Sequence, residues 1–438
     1  MKYYATRADR PLRGEVRVPG DKSISHRAVL FSAMAQGTSH LTGVLDSADV
    51  RSTISAVSAL GAEIEVVRET RDGLDLRVTG WGGGGPVAPA EAIECGNSGT
   101  TARLLMGVLA GWDRHVVLQG DGSLSRRPMA RVTDPLVAMG AEFKSRGGLL
   151  PVSVRGGSLH PVDHVLTVAS AQVKTALLLA GLRAEGCTVV TEPAPSRDHT
   201  ERMLPAYGVA VGRDKDAHRA WVDGPAYLTA ADVAVPADPS SAAFLVAAAV
   251  LVPGSDVAML DIAVNPTRTG FLRVLARMGA RVSVDLDDAT GGEPTAVLRA
   301  HFTEDLRATT VTSEEVPSLI DEVPVLAVVA TAASGTTRFE GVRELRVKES
   351  DRLMAVAEGL AALGCTVRTG EDWLEIDGPC QLGSAALDSC GDHRLAMAYA
   401  VAALVAQEPV TIDHFEAVDV SYPGFVSDLQ ALSVSAAL

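Results

Sequence analysis

The chain has 438 residues, long enough for two or three domains, each with its own core. With 47% hydrophobic but only 4% aromatic residues, that core must be mostly Ala, Val and Leu, which suits helices packed on sheets. A formal charge of −15 argues against a general binder of nucleic acid or anionic membrane, and it makes any local cluster of cations informative. The first fifteen residues lack the apolar run of a secretion signal. Apolar stretches such as 242–252 are too short to span a bilayer and fit buried helices. The five cysteines are scattered, odd in number and without a CxxC pair, so a reduced cytoplasmic protein with no disulfide frame and no metal site is expected.

In chain order, a strand-like run from Glu15 to Val18 ends in a Pro19-Gly20 turn. The apolar pattern Ala28, Val29, Leu30, Ala33, Met34 then predicts a helix. Lys22 stands at the turn, and Ser23 and Arg27 share a helical face. A helix start already carries unpaired N–H groups and partial positive charge, so cations there are ill placed unless an anion sits among them. The stretch reads as a phosphate or carboxylate pocket, against the alternative that both side chains point into water.

A pattern of two half-units then repeats six times. One half is a polar turn, an apolar Ala/Leu helix and a strand, beginning at Asp21, Asn97, Ser170, Asp238, Asp321 and Asp392. The other is an amphipathic helix, a tight turn and a strand, beginning at Asp49, Arg127, Arg197, Pro266, Lys348 and, in degenerate form, Ser421. Gly61, Gly140, Gly208, Gly279 and Gly364 fall where a helix ends and a positive φ is needed. Each copy reads as β-α-β-α-β-β, and six copies suggest two α/β domains of three. The linker candidate is Val235-Pro236-Ala237-Asp238-Pro239. The expected domains are 21–236 and 237–438, the latter completed by strands from 1–20.

The helix starts carry the chemistry. The first has Lys22, Ser23 and Arg27; the second, GNSGTTAR, has Asn97, Gly99, Thr100 and Arg103, followed by Arg127 in SRRPM. The third has Ser170, Gln172 and Lys174, then Arg197 in SRDHTER. The fifth has Asp321 and Glu322 in LIDEVP, then Lys348, Glu349 and Arg352 in RVKESDR; the sixth has Asp392, His393 and Arg394 in GDHR. Cations recur where the helix dipole disfavours them, which points to substrates bearing several negative charges. Asp321 and Glu349 are out of place in a cationic site unless they move protons. The competing reading for Glu349 is an ion pair with Arg352 or Lys348. Asp49, Asp351 and Asp392 read as helix caps or partners that orient arginines, and His26 and His199 as structural.

Together, in this order and across essentially the whole chain, PGDKSISHR, GNSGTTAR, SRRPM, SAQVK, SRDHTER, LIDEVP, RVKESDRL and GDHRLAM resemble the 5-enolpyruvylshikimate-3-phosphate (EPSP) synthase family. The resemblance implies the inside-out α/β barrel fold of the enolpyruvyl transferases, two domains of three repeats, with the active site in the cleft between them. It implies transfer of the enolpyruvyl group of phosphoenolpyruvate to the 5-hydroxyl of shikimate 3-phosphate, releasing phosphate, in chorismate and aromatic amino acid synthesis, by a monomer without metal or organic cofactor. Matched positions assign Lys22, Ser23, Arg27, Ser170, Gln172, Arg197, Asp321 and Lys348 to shikimate 3-phosphate. They assign Lys22, Gly99, Arg127, Gln172, Arg352 and Arg394 to phosphoenolpyruvate, with Asp49, Asn97, Thr100, Arg103 and His393 in support. Asp321 is then the base, and Glu349 with Lys22 the proton donor.

Some positions depart from the family pattern. Val420 stands where many members have a lysine, Ala171 where some have a second serine, and Glu344 where some have Asn. The alternatives are the related transferase acting on a UDP-amino sugar, UDP-N-acetylglucosamine, and a non-catalytic anion-binding or RNA-end-processing protein of related fold. The loop Ser123–Arg127 lacks the cysteine usual in the first. The acidic balance, the few aromatic residues and the Asp321/Glu349 pair speak against the second.

Overall fold

The computed structural model describes residues 1–287 and 292–433; residues 434–438, where the sixth copy ends, lie outside the described residues. The chain divides into two compact units. Among the described residues the first contains Met1–Pro19, Pro236–Asp287 and the chain from Pro294 on, and the second contains Gly20–Val235 together with Gly292 and Glu293. The polypeptide passes from one to the other at Pro19–Gly20 and Val235–Pro236.

The described residues form α1 (Lys22–Met34), α2 (Ala48–Ala59), α3 (Gly99–Ala110), α4 (Ala130–Ala138), α5 (Ala171–Gly181) and α6 (His199–Met203) in the second unit. In the first unit they form α7 (Pro239–Leu251), α8 (Gly270–Arg277), α9 (Val323–Ala330), α10 (Arg352–Ala362), α11 (His393–Ala403) and α12 (Phe425–Ser433). Odd-numbered helices are the Ala/Leu-rich ones, and they are buried almost all round; α7 and α9 are buried at every residue. Such a helix is stable only inside a shell of other elements. Even-numbered helices bury one face, as α8 does with Phe271, Val274 and Leu275.

Their starts are capped as polar residues before apolar runs should be. Asp21 accepts from the Ile24 N–H at 2.8 Å, Asp238 from Ser240 and Asp392 from Arg394, both at 2.9 Å. Two starts have features of their own. The cap of α3 is Ser98, one residue beyond Asn97, because the Asn97 side chain is drawn to Asp121 and Arg127 instead. Before α9 a 3-10 turn, Ile320–Glu322, intervenes and turns two carboxylates inward. At the helix ends Gly61, Gly140, Gly208, Gly279 and Gly364 all have φ between 81° and 111°, the left-handed region that the sequence required there.

Among the described residues, six small mixed sheets cover the helices. In the second copy Ile93–Glu94 pairs parallel with His115–Gln119, which pairs antiparallel with Leu149–Arg155, itself antiparallel to Glu142–Arg146. The first copy takes its parallel strand, Val233–Ala234, from the far end of its own unit. In the first unit Arg13–Val16 pairs parallel with Asp256–Ala263, and Tyr3–Ala5 closes the last sheet against Val410–Asp413.

The expectation of no disulfide is corrected. Cys365, just past the end of α10, and Cys380, just past the strand Trp373–Gly378, are joined, with Cα atoms 5.8 Å apart. A hairpin brings together two residues that their 15-residue spacing in the chain did not connect.

Candidate active site

In the second unit the starts of α1, α2, α3 and α5 present the predicted residues. Lys22 pairs with Asp49, the second residue of α2. Ser47, not Asp49, caps α2, and the Asp49 carboxylate pairs with the lysine. Arg27 is buried on α1 and hydrogen-bonds to neutral groups, namely the hydroxyls of Thr200 at 2.8 Å and Thr175 at 2.9 Å and the Ser23 carbonyl at 3.0 Å. Burial pulls its guanidinium down to about 10, partly offset by Glu201. An anion would relieve that penalty by supplying the missing counter-charge. Arg197 reaches the Ser23 hydroxyl at 3.4 Å.

Gln172 accepts from Arg103 at 2.6 Å and donates to Thr100 at 2.9 Å, tying α5 to α3. Arg127 donates to Asn97 at 2.8 Å, and Asn97 to Asp121 at 2.7 Å. Gly99 opens α3, where a Cβ would come to 3.0 Å from Arg103 Nη1 and ask the guanidinium to shift by a few tenths of an ångström. Ser170 caps α5. Two further groups are buried in this unit: Lys174, one of the helix-start cations, and His26, read from the sequence as structural. Lys174 is buried between Glu192 and Glu201 at 2.7 and 2.8 Å; burial opposes its charge, but the two carboxylates prevail and hold its pKa high. His26, Thr53 and Thr101 form a buried chain with contacts of 2.7 and 2.6 Å that links α1, α2 and α3. Burial, aided by Lys22 and Arg27 and opposed by Asp49, lowers His26 to about 3, so the imidazole is neutral.

In the first unit Asp321 is the node. Its carboxylate lies 3.2 Å from Arg352, 3.5 Å from Lys348 and 3.7 Å from Arg394. Arg352, the first residue of α10, is enclosed and also binds Glu349 and Asp392, the latter at 2.6 Å. Burial opposes its charge, but Asp392, Glu349 and Asp321 outweigh it and raise its pKa. The ion pair weighed for Glu349 is thus formed. Asp392 does two tasks, capping α11 and holding Arg352; burial opposes its ionisation, and Arg352 and His393 keep its pKa low. Asp351 caps α10. His393 is buried at the start of α11. Arg394 also donates to the Asp321 carbonyl at 3.2 Å and lies 3.7 Å from Glu322. Arg268 was not singled out in the sequence; its partner Asp238 is 30 residues away. The one available signal was that the Asp238 helix start lacked a cation of its own. Among the described residues no group of His, Cys, Asp and Glu is arranged to hold a metal ion, and no helix is long and apolar enough to cross a membrane.

The chain as a whole matches a known family. The family model for EPSP synthase (3-phosphoshikimate 1-carboxyvinyltransferase) matches residues 6–429. The chain belongs to that family. It is 51% identical over 425 residues to the 3-phosphoshikimate 1-carboxyvinyltransferase of Halorhodospira halophila, covering 97% of this chain and 94% of that protein. It is 46% identical over 428 residues to the enzyme of that name from Bacillus licheniformis, covering 97% and 98%. The EPSP synthase structure from Acinetobacter baumannii superposes with a TM-score of 0.88 at 39% identity, covering 98% of both chains. The enolpyruvyl transferase NikO from Streptomyces tendae, at 20% identity and a TM-score of 0.75 over 98% of this chain and 97% of that one, shares the fold. The mixed α/β architecture with six small sheets is that of the EPSP synthases.

Proposed function

We propose that this chain joins phosphoenolpyruvate to the 5-hydroxyl of shikimate 3-phosphate through the residues of the two clusters. Family membership makes it a 3-phosphoshikimate 1-carboxyvinyltransferase of the shikimate pathway and aromatic amino acid biosynthesis. The observation that carries the residue assignment is Asp321. It is a carboxylate among three cations that all lie within 4 Å, where a proton acceptor for a hydroxyl can be held beside bound anions.

In this reading Arg27, Arg197, Ser23, Ser170, Gln172 and Lys348 hold shikimate 3-phosphate. The neutral partners of Arg27 support a phosphate there, since they leave its charge to be met by a ligand. Lys22, Gly99, Arg127, Gln172, Arg352 and Arg394 hold phosphoenolpyruvate, with Arg352 exchanging one of its carboxylates for the substrate's. Asp321 takes the proton of the 5-hydroxyl as its oxygen attacks C2 of phosphoenolpyruvate. Glu349, with Lys22, protonates the C3 methylene, giving a tetrahedral adduct. Loss of a methyl proton and of phosphate then restores the double bond as the enol ether. The chain acts as a monomer in this scheme, because both clusters belong to one polypeptide.

The test is phosphate release from phosphoenolpyruvate. It is expected only when shikimate 3-phosphate is present, and turnover with a UDP-amino sugar instead would overturn the substrate. Asp321→Asn and Glu349→Gln should each keep substrate binding and lower kcat by about a thousandfold, the scale of general acid–base catalysis. Near-normal turnover in either would remove that residue from its role.

A further inference from the structure

Behind Arg394 runs a buried polar chain that the proposed chemistry does not use. Glu322 closes the 3-10 turn before α9 and is fully enclosed. Its Oε1 accepts from the Ser240 hydroxyl and lies 3.7 Å from Arg394 Nη1. Ser240 is the second residue of α7. Arg268, itself buried, donates from Nη2 to the Ser240 Oγ and to Asp238 Oδ1, both at 2.9 Å. Asp238 caps α7, and its backbone N–H donates to the Pro19 carbonyl at 2.9 Å. The directions of these bonds are fixed. A guanidinium has only donors, so Ser240 must accept from Arg268, and its single hydrogen is then committed to Glu322.

We propose that Glu322 is a positioning residue, held through Ser240 and Arg268, that fixes the Arg394 guanidinium for the carboxylate of phosphoenolpyruvate. Three features argue for this beyond simple packing. A buried carboxylate is costly, and a fold needing only volume here would place an apolar or amide side chain. Arg394 stands between two neighbouring carboxylates, Asp321 and Glu322. With Glu322 present, the arginine is shared, and Asp321 is not its sole anchor. Finally, the chain reaches Arg394 from three separate segments, α7, the loop at Arg268 and the turn before α9, so the guanidinium is set before any ligand arrives. Burial, with Asp321 adding to it, raises the Glu322 pKa, against the lowering effects of Arg394, Arg268 and the Ser240 hydroxyl.

The inference rests on the reading that Arg394 binds phosphoenolpyruvate, and the experiment separates the two. Arg394→Lys, Glu322→Gln and Ser240→Ala are compared by KM for each substrate, kcat and thermal midpoint. Glu322→Gln should raise the KM for phosphoenolpyruvate about tenfold, the scale of a hydrogen bond to a charged group, with the KM for shikimate 3-phosphate within about twofold. Ser240→Ala, which keeps the charge and removes the tether, should give a smaller shift of the same kind, and serves where Glu322→Gln folds poorly. If Arg394→Lys raises the phosphoenolpyruvate KM and both other variants leave it unchanged, the positioning role is wrong and the Arg394 reading stands. If Arg394→Lys also leaves it unchanged, the Arg394 reading itself falls. Equal loss for both substrates, with a lowered midpoint, would mark Glu322 as structural only and overturn the proposal.

Discussion

Arg27 and Arg352 are both buried, at 2% and 1% exposure, and both stand within the first two turns of helices in the candidate site. They are otherwise opposites. Arg27 hydrogen-bonds to two threonine hydroxyls and a carbonyl, and its pKa falls to about 10; Arg352 holds three carboxylates, and its pKa rises. The same residue type in the same local setting thus has two different electrostatic states. The second unit keeps a cation short of counter-charge, the state expected of a group waiting for an anion. The first unit uses its cation to gather acids, among them the two proposed proton carriers.

The sharpest way to break this contrast is to remove each arginine. Arg352→Met leaves Asp321, Glu349 and Asp392 crowded without their common cation. It should destabilise the protein by about 3–5 kcal/mol in denaturant unfolding, as loss of one partner of a buried ion pair does. Arg27→Met should change stability by no more than about 1 kcal/mol, since the folded site already disfavours that charge. Its effect should appear instead as a rise in KM for shikimate 3-phosphate on the order of a hundredfold, for loss of a charge-assisted contact. Equal destabilisation by both variants would erase the distinction.

A smaller effect sharpens the second unit's neutral character. The folded pKa of His26, about 3, lies below its unfolded value near 6.5. As pH falls below 6.5 the unfolded chain gains a proton that the folded chain refuses, so stability drops, by up to about 1.4 kcal/mol per pH unit. Above pH 6.5 the term vanishes. His26→Gln should flatten the stability profile between pH 6.5 and 5 relative to the parent, and an unchanged slope would show that His26 takes up a proton when folded. Smaller still, inorganic phosphate at about ten times its Kd should stabilise the parent by roughly 1 kcal/mol through mass action, and Arg27→Met by much less.

How much of this was legible depended on whether a feature is local. Helix starts, caps and left-handed glycines follow from a few adjacent residues, and the repeat made them visible six times over. Asn97, next to the cap of α3, bonds instead to Asp121 and Arg127, 24 and 30 residues on, which its neighbours in the chain do not reveal. Asp49 looked like a cap because acidic residues at helix starts usually are; its use on Lys22 depends on how α1 and α2 lie side by side. The Cys365–Cys380 bond was missed for the same reason.

The sequence by itself determined which residue types stand at each helix start, the sixfold repetition that makes their cationic character significant, and the family. Local hydrogen bonding, helix periodicity and motif order are properties of neighbours along the chain. Only the tertiary structure decided who neutralises whom. Ser240 and Glu322 are 82 residues apart, and Arg27 and Thr200 are 173 apart. Whether a buried cation meets a hydroxyl or a carboxylate is set by which elements pack against it, and that choice separates an arginine held ready for a ligand from one that organises acids.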